Sequence, residues 1–147
     1  MQDLSTQRLI LVLQANPTDG TLIQKVLAEN DMHPQIVMMS HTQEALDFLR
    51  RQGLYMTSQR PDLILLDLEL GGETTGYELL SALKADPTLR RIPIIVLTMS
   101  DQVEDIFKTY AVQGNCYVIR PGNRDQLAQT IQRIEDFWLR IVTLPSE

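Results

Sequence analysis

The sequence predicts an α/β domain built on a parallel sheet of five strands with helices on both faces. Two observations carry this. Short, continuous apolar runs alternate with stretches of helical period five times along the chain, and no linker, repeat or low-complexity tract interrupts the 147 residues. Apolar runs without a polar face mark strands buried on both sides. Strand–helix alternation joins such strands in parallel through right-handed crossovers. The length suits one domain with a substantial core, so 1–147 is expected to be a single domain.

The elements follow in order. Leu9–Leu13 is the first run, followed by a helical face of Leu22, Ile23, Val26 and Leu27. Ile36–Met39 is the second, followed by Ala45, Leu46 and Leu49, with Gly53 expected to end that helix. Leu63–Leu66 is the third; Leu79, Leu80 and Leu83 mark its helix, and Pro87 stands just past the end. Ile94–Leu97 is the fourth, with Val103, Ile106, Phe107 and Tyr110 as the apolar face of a helix that Ser100 or Asp101 is expected to cap. Cys116–Ile119 is the fifth, and Leu127, Ile131, Ile134 and Trp138 mark the last helix. Each set repeats at i, i+3, i+4 spacing, the stripe that turns toward a core.

Composition narrows the function. Lys plus Arg is 13 against 19 for Asp plus Glu, a net charge of −6. Such a chain gains little from counterion release on a phosphate backbone, so nucleic acid is not expected as a partner. One cysteine, Cys116, allows no internal disulfide and fits a reducing cytoplasm. No apolar run approaches the ~20 residues of a bilayer span, and the first residues lack the charged and apolar regions of a signal peptide. The expectation is a soluble cytoplasmic protein with no membrane partner.

In a doubly wound sheet, ligands collect outside the carboxyl ends of the strands. The first strand ends in Gln14-Ala15-Asn16-Pro17, the third in Asp67-Leu68-Glu69, the fourth in Thr98-Met99-Ser100 and the fifth in Arg120-Pro121-Gly122. A carboxylate, a hydroxyl and a cation therefore converge on one crevice. A lone Asp at the end of an apolar strand needs partners to offset its desolvation; capping the next helix or joining a structural ion pair is the plainer role for it.

Leu63-Ile-Leu-Leu-Asp-Leu68, Pro93-Ile-Ile-Val-Leu-Thr98 and Tyr117-Val-Ile-Arg-Pro121 together resemble the receiver domain of two-component response regulators, the CheY-like, flavodoxin-like fold, across about residues 8–138. The resemblance implies the strand order 2-1-3-4-5. It also implies that Asp67 accepts a phosphoryl group from a histidine kinase, that Thr98 hydrogen-bonds it, that Tyr117 is the aromatic switch, and that the bond before Pro121 is cis. A narrower resemblance covers Asn115-Cys-Tyr117 and Phe137-Trp-Leu-Arg-Ile-Val-Thr-Leu-Pro145, which are similar to the stand-alone response regulators of phytochrome-type histidine kinases. It implies a homodimer to which Trp138, Leu144 and Pro145 in the 139–147 region contribute; alternatively these residues fold back onto the last helix.

Departures from the family pattern cluster at one place. The acidic pair that helps receivers bind Mg²⁺ is replaced by Gln14 and Ala15, leaving Asp67 with the Glu69 carbonyl and the Glu69 or Glu73 side chain as ligands. A hard divalent cation needs charged oxygens, so Mg²⁺ is expected to bind weakly. Arg120 stands where receivers carry lysine, and either pairs with Asp67 or holds a phosphate. Met99 replaces a small residue and either covers Asp67 or packs on the fourth helix. The 71–76 loop lacks the usual proline. These changes point to a degenerate site, and to a module that acts by binding a histidine kinase or another signalling protein. A receiver that is still phosphorylated on Asp67 is the alternative. An aspartate-nucleophile phosphatase based on Asp67 and Glu69 lacks a second acidic cluster, so no enzyme activity is expected.

Other motifs carry little. Gly71, Gly72 and Gly76 have the wrong spacing for a nucleotide loop, and His33 and His41 lie far from any partner ligand. Arg90 and Arg91 read as a solvated corner, and Cys116 as an inert thiol.

Overall fold

The structure is a computed structural model that describes residues 7–56 and 58–145. Five strands, β1 (Leu9–Leu13), β2 (Gln35–Met39), β3 (Leu63–Leu66), β4 (Ile94–Thr98) and β5 (Cys116–Ile119), alternate with five helices, α1 (Pro17–Ala28), α2 (Thr42–Leu49), α3 (Gly76–Ala85), α4 (Val103–Ala111) and α5 (Arg124–Glu135). All pairings are parallel and the order is β2-β1-β3-β4-β5, as the resemblance implied.

Alternation along the strands divides the core into two layers. Leu9, Leu11, Leu13, Ile64, Leu66, Ile94 and Val96 pack with α2 and α3 on one face. Ile10, Val12, Leu63, Leu65, Ile95 and Leu97 pack with α1 and α5 on the other. Every residue of β1, β3 and β4 is buried, which is why these strands read as continuous apolar runs.

Local chemistry sets the helix ends. The Asn16 side chain accepts the N–H groups of Thr18 and Asp19 and starts α1, with Pro17 in its first turn. Thr75 and Glu78 form a reciprocal capping box at α3. Two expected boundaries differ. Helix α2 ends at Leu49, and Gly53 opens a short 3₁₀ turn, Gly53–Tyr55, because the chain first reverses through a left-handed Arg51 (φ 56°). Helix α4 begins at Val103 with Gln102 at the N-cap position and no side-chain cap; Ser100, two residues earlier, donates its hydroxyl to Asp105 Oδ2 at 2.5 Å and accepts the N–H of Gln102 at 3.3 Å.

The apolar stripe of α4 also differs from expectation. Val103, Phe107 and Tyr110 face solvent, and Thr109 is the buried residue of the helix. Polar anchors outside the helix fix this orientation: the Ser100 hydroxyl donates to Asp105, and the Tyr110 hydroxyl accepts the N–H of Tyr117 on β5.

After α5 the chain widens into a π-helical turn, Asp136–Ile141. Leu139 and Leu144 are buried in the α1/α5 layer, and Trp138 and Val142 pack against it. The tail thus folds back on its own core. Leu144 is spent within the chain and Pro145 is half-buried, while Phe137 and Ile141 are the exposed apolar groups of this segment. No helix among the described residues is long and apolar enough to cross a membrane.

Candidate functional site

The parallel register brings the strand ends together. Leu13 pairs with Leu66, so Gln14 and Ala15 leave β1 beside the point where Asp67 leaves β3. Asp67 N–H donates to the Leu13 carbonyl at 2.9 Å, which ties the two ends. The carboxylate is 8% exposed and accepts two backbone N–H groups, from Glu69 at 2.9 Å on Oδ1 and from Ala15 at 3.3 Å on Oδ2. These two bonds offset part of its desolvation and aim it into a cavity of about 390 Å³.

Gly76 holds this geometry from beneath. A Cβ there would lie 2.6 Å from the Leu68 carbonyl oxygen and 2.8 Å from that of Asp67, so the start of α3 approaches the Asp67 turn as closely as backbone allows. In the same loop, Gly72 takes φ 135° as its neighbour Gly71 bridges to His41.

Thr98 closes β4 and lines the cavity. Its hydroxyl oxygen is fully buried with no hydrogen-bond partner among the described residues. An orphan hydroxyl at a strand end, beside a carboxylate, is a position prepared for an incoming polar group.

Arg120 lines the same cavity but does not pair with Asp67. Its Nε donates to Asp19 Oδ2 at 2.6 Å and its Nη2 to Asp19 Oδ1 at 2.5 Å, a bidentate fork across 101 residues of sequence. Nη1 donates to the carbonyl of Pro121. The bond to Asp19 raises the Arg120 pKa further, against a smaller opposing effect of burial. The expected Arg120–Asp67 pair is therefore corrected: Asp19, in the first turn of α1 and 7% exposed, takes the guanidinium. The peptide before Pro121 is trans, since no cis bond occurs among the described residues, and the expected cis bond is corrected as well.

Asp19 is the functional residue the sequence reading missed. An acid in a first helical turn has an ordinary role at the positive end of the helix, so nothing local marks it. The one available signal was its place, five residues after a strand end that had lost its acids.

The remaining expected residues are also located. Met99 stands at the cavity mouth, 65% exposed rather than packed on α4. Tyr117 is half-buried, and its hydroxyl donates to the Ser100 carbonyl at 2.8 Å, joining β5 to the β4–α4 loop; burial is the main cause of its raised pKa. Glu69 lines the cavity, but Glu73 does not.

The donor set does not fit a tightly held divalent cation. Gln14 turns its side-chain oxygen to the N–H of Asn16, Ala15 offers no ligand atom, and Asp19 is neutralised by Arg120. No group of three His, Cys, Asp or Glu side chains disposed around one point occurs among the described residues.

The chain is similar to known proteins over most of its length. The chain is 38% identical over 139 residues to the response regulator Rcp1 of Synechocystis, spanning 95% of this chain and 94% of that protein. The crystal structure of a phosphorylated cyanobacterial phytochrome response regulator, RcpA, superposes with a TM-score of 0.93 at 42% identity, covering 96% of this chain and all of the other. The Mn²⁺-bound form of Rcp1 superposes at 0.91 with 38% identity, over 95% of this chain and 99% of the other. Residues 10–132, which carry β2 to β5, all of β1 but Leu9, and Asp67, Thr98 and Arg120, match the response regulator receiver domain, and the chain belongs to that family.

Proposed function

We propose that this receiver is a stand-alone, cytoplasmic response regulator of two-component signalling whose Mg²⁺-dependent phosphorylation is impaired, and that it acts by binding a histidine kinase of the phytochrome type or another signalling protein. The observation that carries this reading is the fate of the charges around Asp67. Phosphoryl transfer brings an anion to an anion, and cations must neutralise the approach. Here Gln14 and Ala15 replace the acidic pair, and the one cation that lines the crevice among the described residues, Arg120, is committed to Asp19. Asp67 meets an incoming phosphoryl group with two N–H groups and the Thr98 hydroxyl. Divalent cations are expected to bind no tighter than millimolar.

Binding rather than turnover is supported by α4. Val103, Phe107 and Tyr110 form an exposed apolar stripe, with Ile119 of the β5 edge 46% exposed. Relatives of matching length include a phytochrome response regulator, which motivates a phytochrome-type kinase as partner. A homodimer is part of the proposal, with the exposed Phe137 and Ile141 beside the expected Trp138 and Pro145 as its contact.

The test is intact-mass spectrometry after incubation with acetyl phosphate, with and without Mg²⁺, beside Asp67→Asn. The proposal expects little or no adduct on the wild type. Asp19→Asn frees Arg120 and is expected to increase an adduct that Asp67→Asn abolishes, at a cost of roughly 2 kcal/mol in stability. Full Mg²⁺-dependent phosphorylation of the wild type would establish the second reading, a competent phospho-switch. The observation that favours that reading is the orphan Thr98 hydroxyl beside an Asp67 that Arg120 leaves open.

A further inference from the structure

The opposite end of the sheet carries a second polar cavity. It measures about 360 Å³ and lies where the end of α2, the connection into β3 and the α3–β4 loop meet. Arg50, Arg51 and Arg60 line it with Thr88, Leu49 and Leu89, and no acidic residue does. In a chain of net charge −6, three guanidinium groups around one cavity are a local reversal of sign.

Arg60 is the informative one. It is half-buried, its Nε is fully buried without a partner, and it makes no hydrogen bond or ion pair with the described residues. A desolvated guanidinium is costly unless paired. Asp86, next to this cavity in sequence, is already occupied: it accepts both the N–H and the hydroxyl of Thr88 at 2.8 Å, and lies 4.0 Å from Arg50. Cations at the end of α2 are explained for Arg50 and Arg51 by the helix dipole, but Arg60 lies outside any helix. The left-handed backbone at Arg51 turns the chain at this corner, a conformation uncommon for a side-chain-bearing residue.

We propose that this cavity binds a pyrophosphate group, either free or as the end of a nucleoside diphosphate. Planar guanidinium forks match phosphate oxygens, and three of them suit a group carrying several negative charges. The volume exceeds what one phosphate fills, and Leu49 and Leu89 provide an apolar wall for an attached group.

The test is a ¹H–¹⁵N NMR titration of the whole chain, without divalent metal, using inorganic pyrophosphate in one arm and ADP in the other. Saturable shifts at residues 49–51, 60 and 88–89 are expected. Arg60→Gln should weaken binding by about tenfold or more, and Arg50→Gln should weaken it while keeping the wild-type spectrum elsewhere. Tighter binding of ADP than of pyrophosphate identifies the nucleotide as the source of the group; equal binding identifies the free anion. Shifts confined to the crevice around residues 14–19, 67, 98 and 120, unchanged affinity in both variants, no saturation by about 10 mM, or binding of a phosphopeptide with none of pyrophosphate would each overturn the proposal.

Discussion

Helices α4 and α5 both repeat apolar residues at helical spacing, yet the fold uses them in opposite ways. Helix α5 buries Leu127, Ile131 and Ile134 against α1 and the sheet. Helix α4 leaves Val103, Phe107 and Tyr110 between 50% and 78% exposed. Periodicity establishes that a segment is a helix, but which side meets the core is settled by anchors elsewhere. For α4 those anchors are polar: Ser100 on Asp105, and Tyr110 on the β5 backbone. The difference assigns core stability to α5, and the exposed stripe of α4 is the surface the proposed binding role would use.

Truncation gives the largest contrast. Ile131→Ala leaves a cavity in a fully buried position and is expected to cost about 3–4 kcal/mol in urea unfolding. Phe107→Ala should cost less than about 0.5 kcal/mol. Equal losses would break the comparison.

A titration sharpens it from the α5 side. Glu135 ends α5 at 2% exposure, with Oε2 unpartnered among the described residues, and burial pushes its carboxyl up to about 7 despite a hydrogen bond with Asn30. Its folded pKa lies above its ordinary value of 4.5, so the native state holds the proton more tightly than the unfolded chain does. Stability is then lost as pH rises from about 4.5 through about 7, by up to about 3 kcal/mol. Glu135→Gln should flatten the melting temperature across that window and melt higher than the wild type at pH 8. An unchanged slope would mean that Glu135 is not the group responsible.

The smallest effect on stability belongs to α4. The double substitution Val103→Ser with Phe107→Ser is expected to stay within about 0.5 kcal/mol of wild type. It should nonetheless weaken capture by the cognate histidine kinase in a calorimetric titration. Undiminished binding would move the recognition surface away from this helix.

The fold was legible because buried parallel strands write themselves as uninterrupted apolar runs such as Leu63–Leu66, and because Pro87 punctuates locally. The site was legible in part. Asp67 and Thr98 announce themselves as polar residues at the ends of apolar strands. The partner of Arg120 was hidden because a pair separated by 101 residues leaves no local pattern, and Asp19 already had an adequate reason to be where it is. The outward turn of α4 was hidden for a related cause: hydroxyl and phenol contacts, rather than the apolar stripe, fix its rotation.

The separation of Asp19 and Arg120 also orders the assembly of the crevice in time. A chain grows from its amino terminus, and a contact between its first helix and its last strand is absent until about four-fifths of it has been made. Until then β1, β3 and α1 can bring Asp19 and Asp67 to the same rim with no cation between them. The electrostatic character of the finished crevice is thus a late event in biosynthesis, and a chain released before residue 120 would present two uncompensated acids where the complete protein presents one.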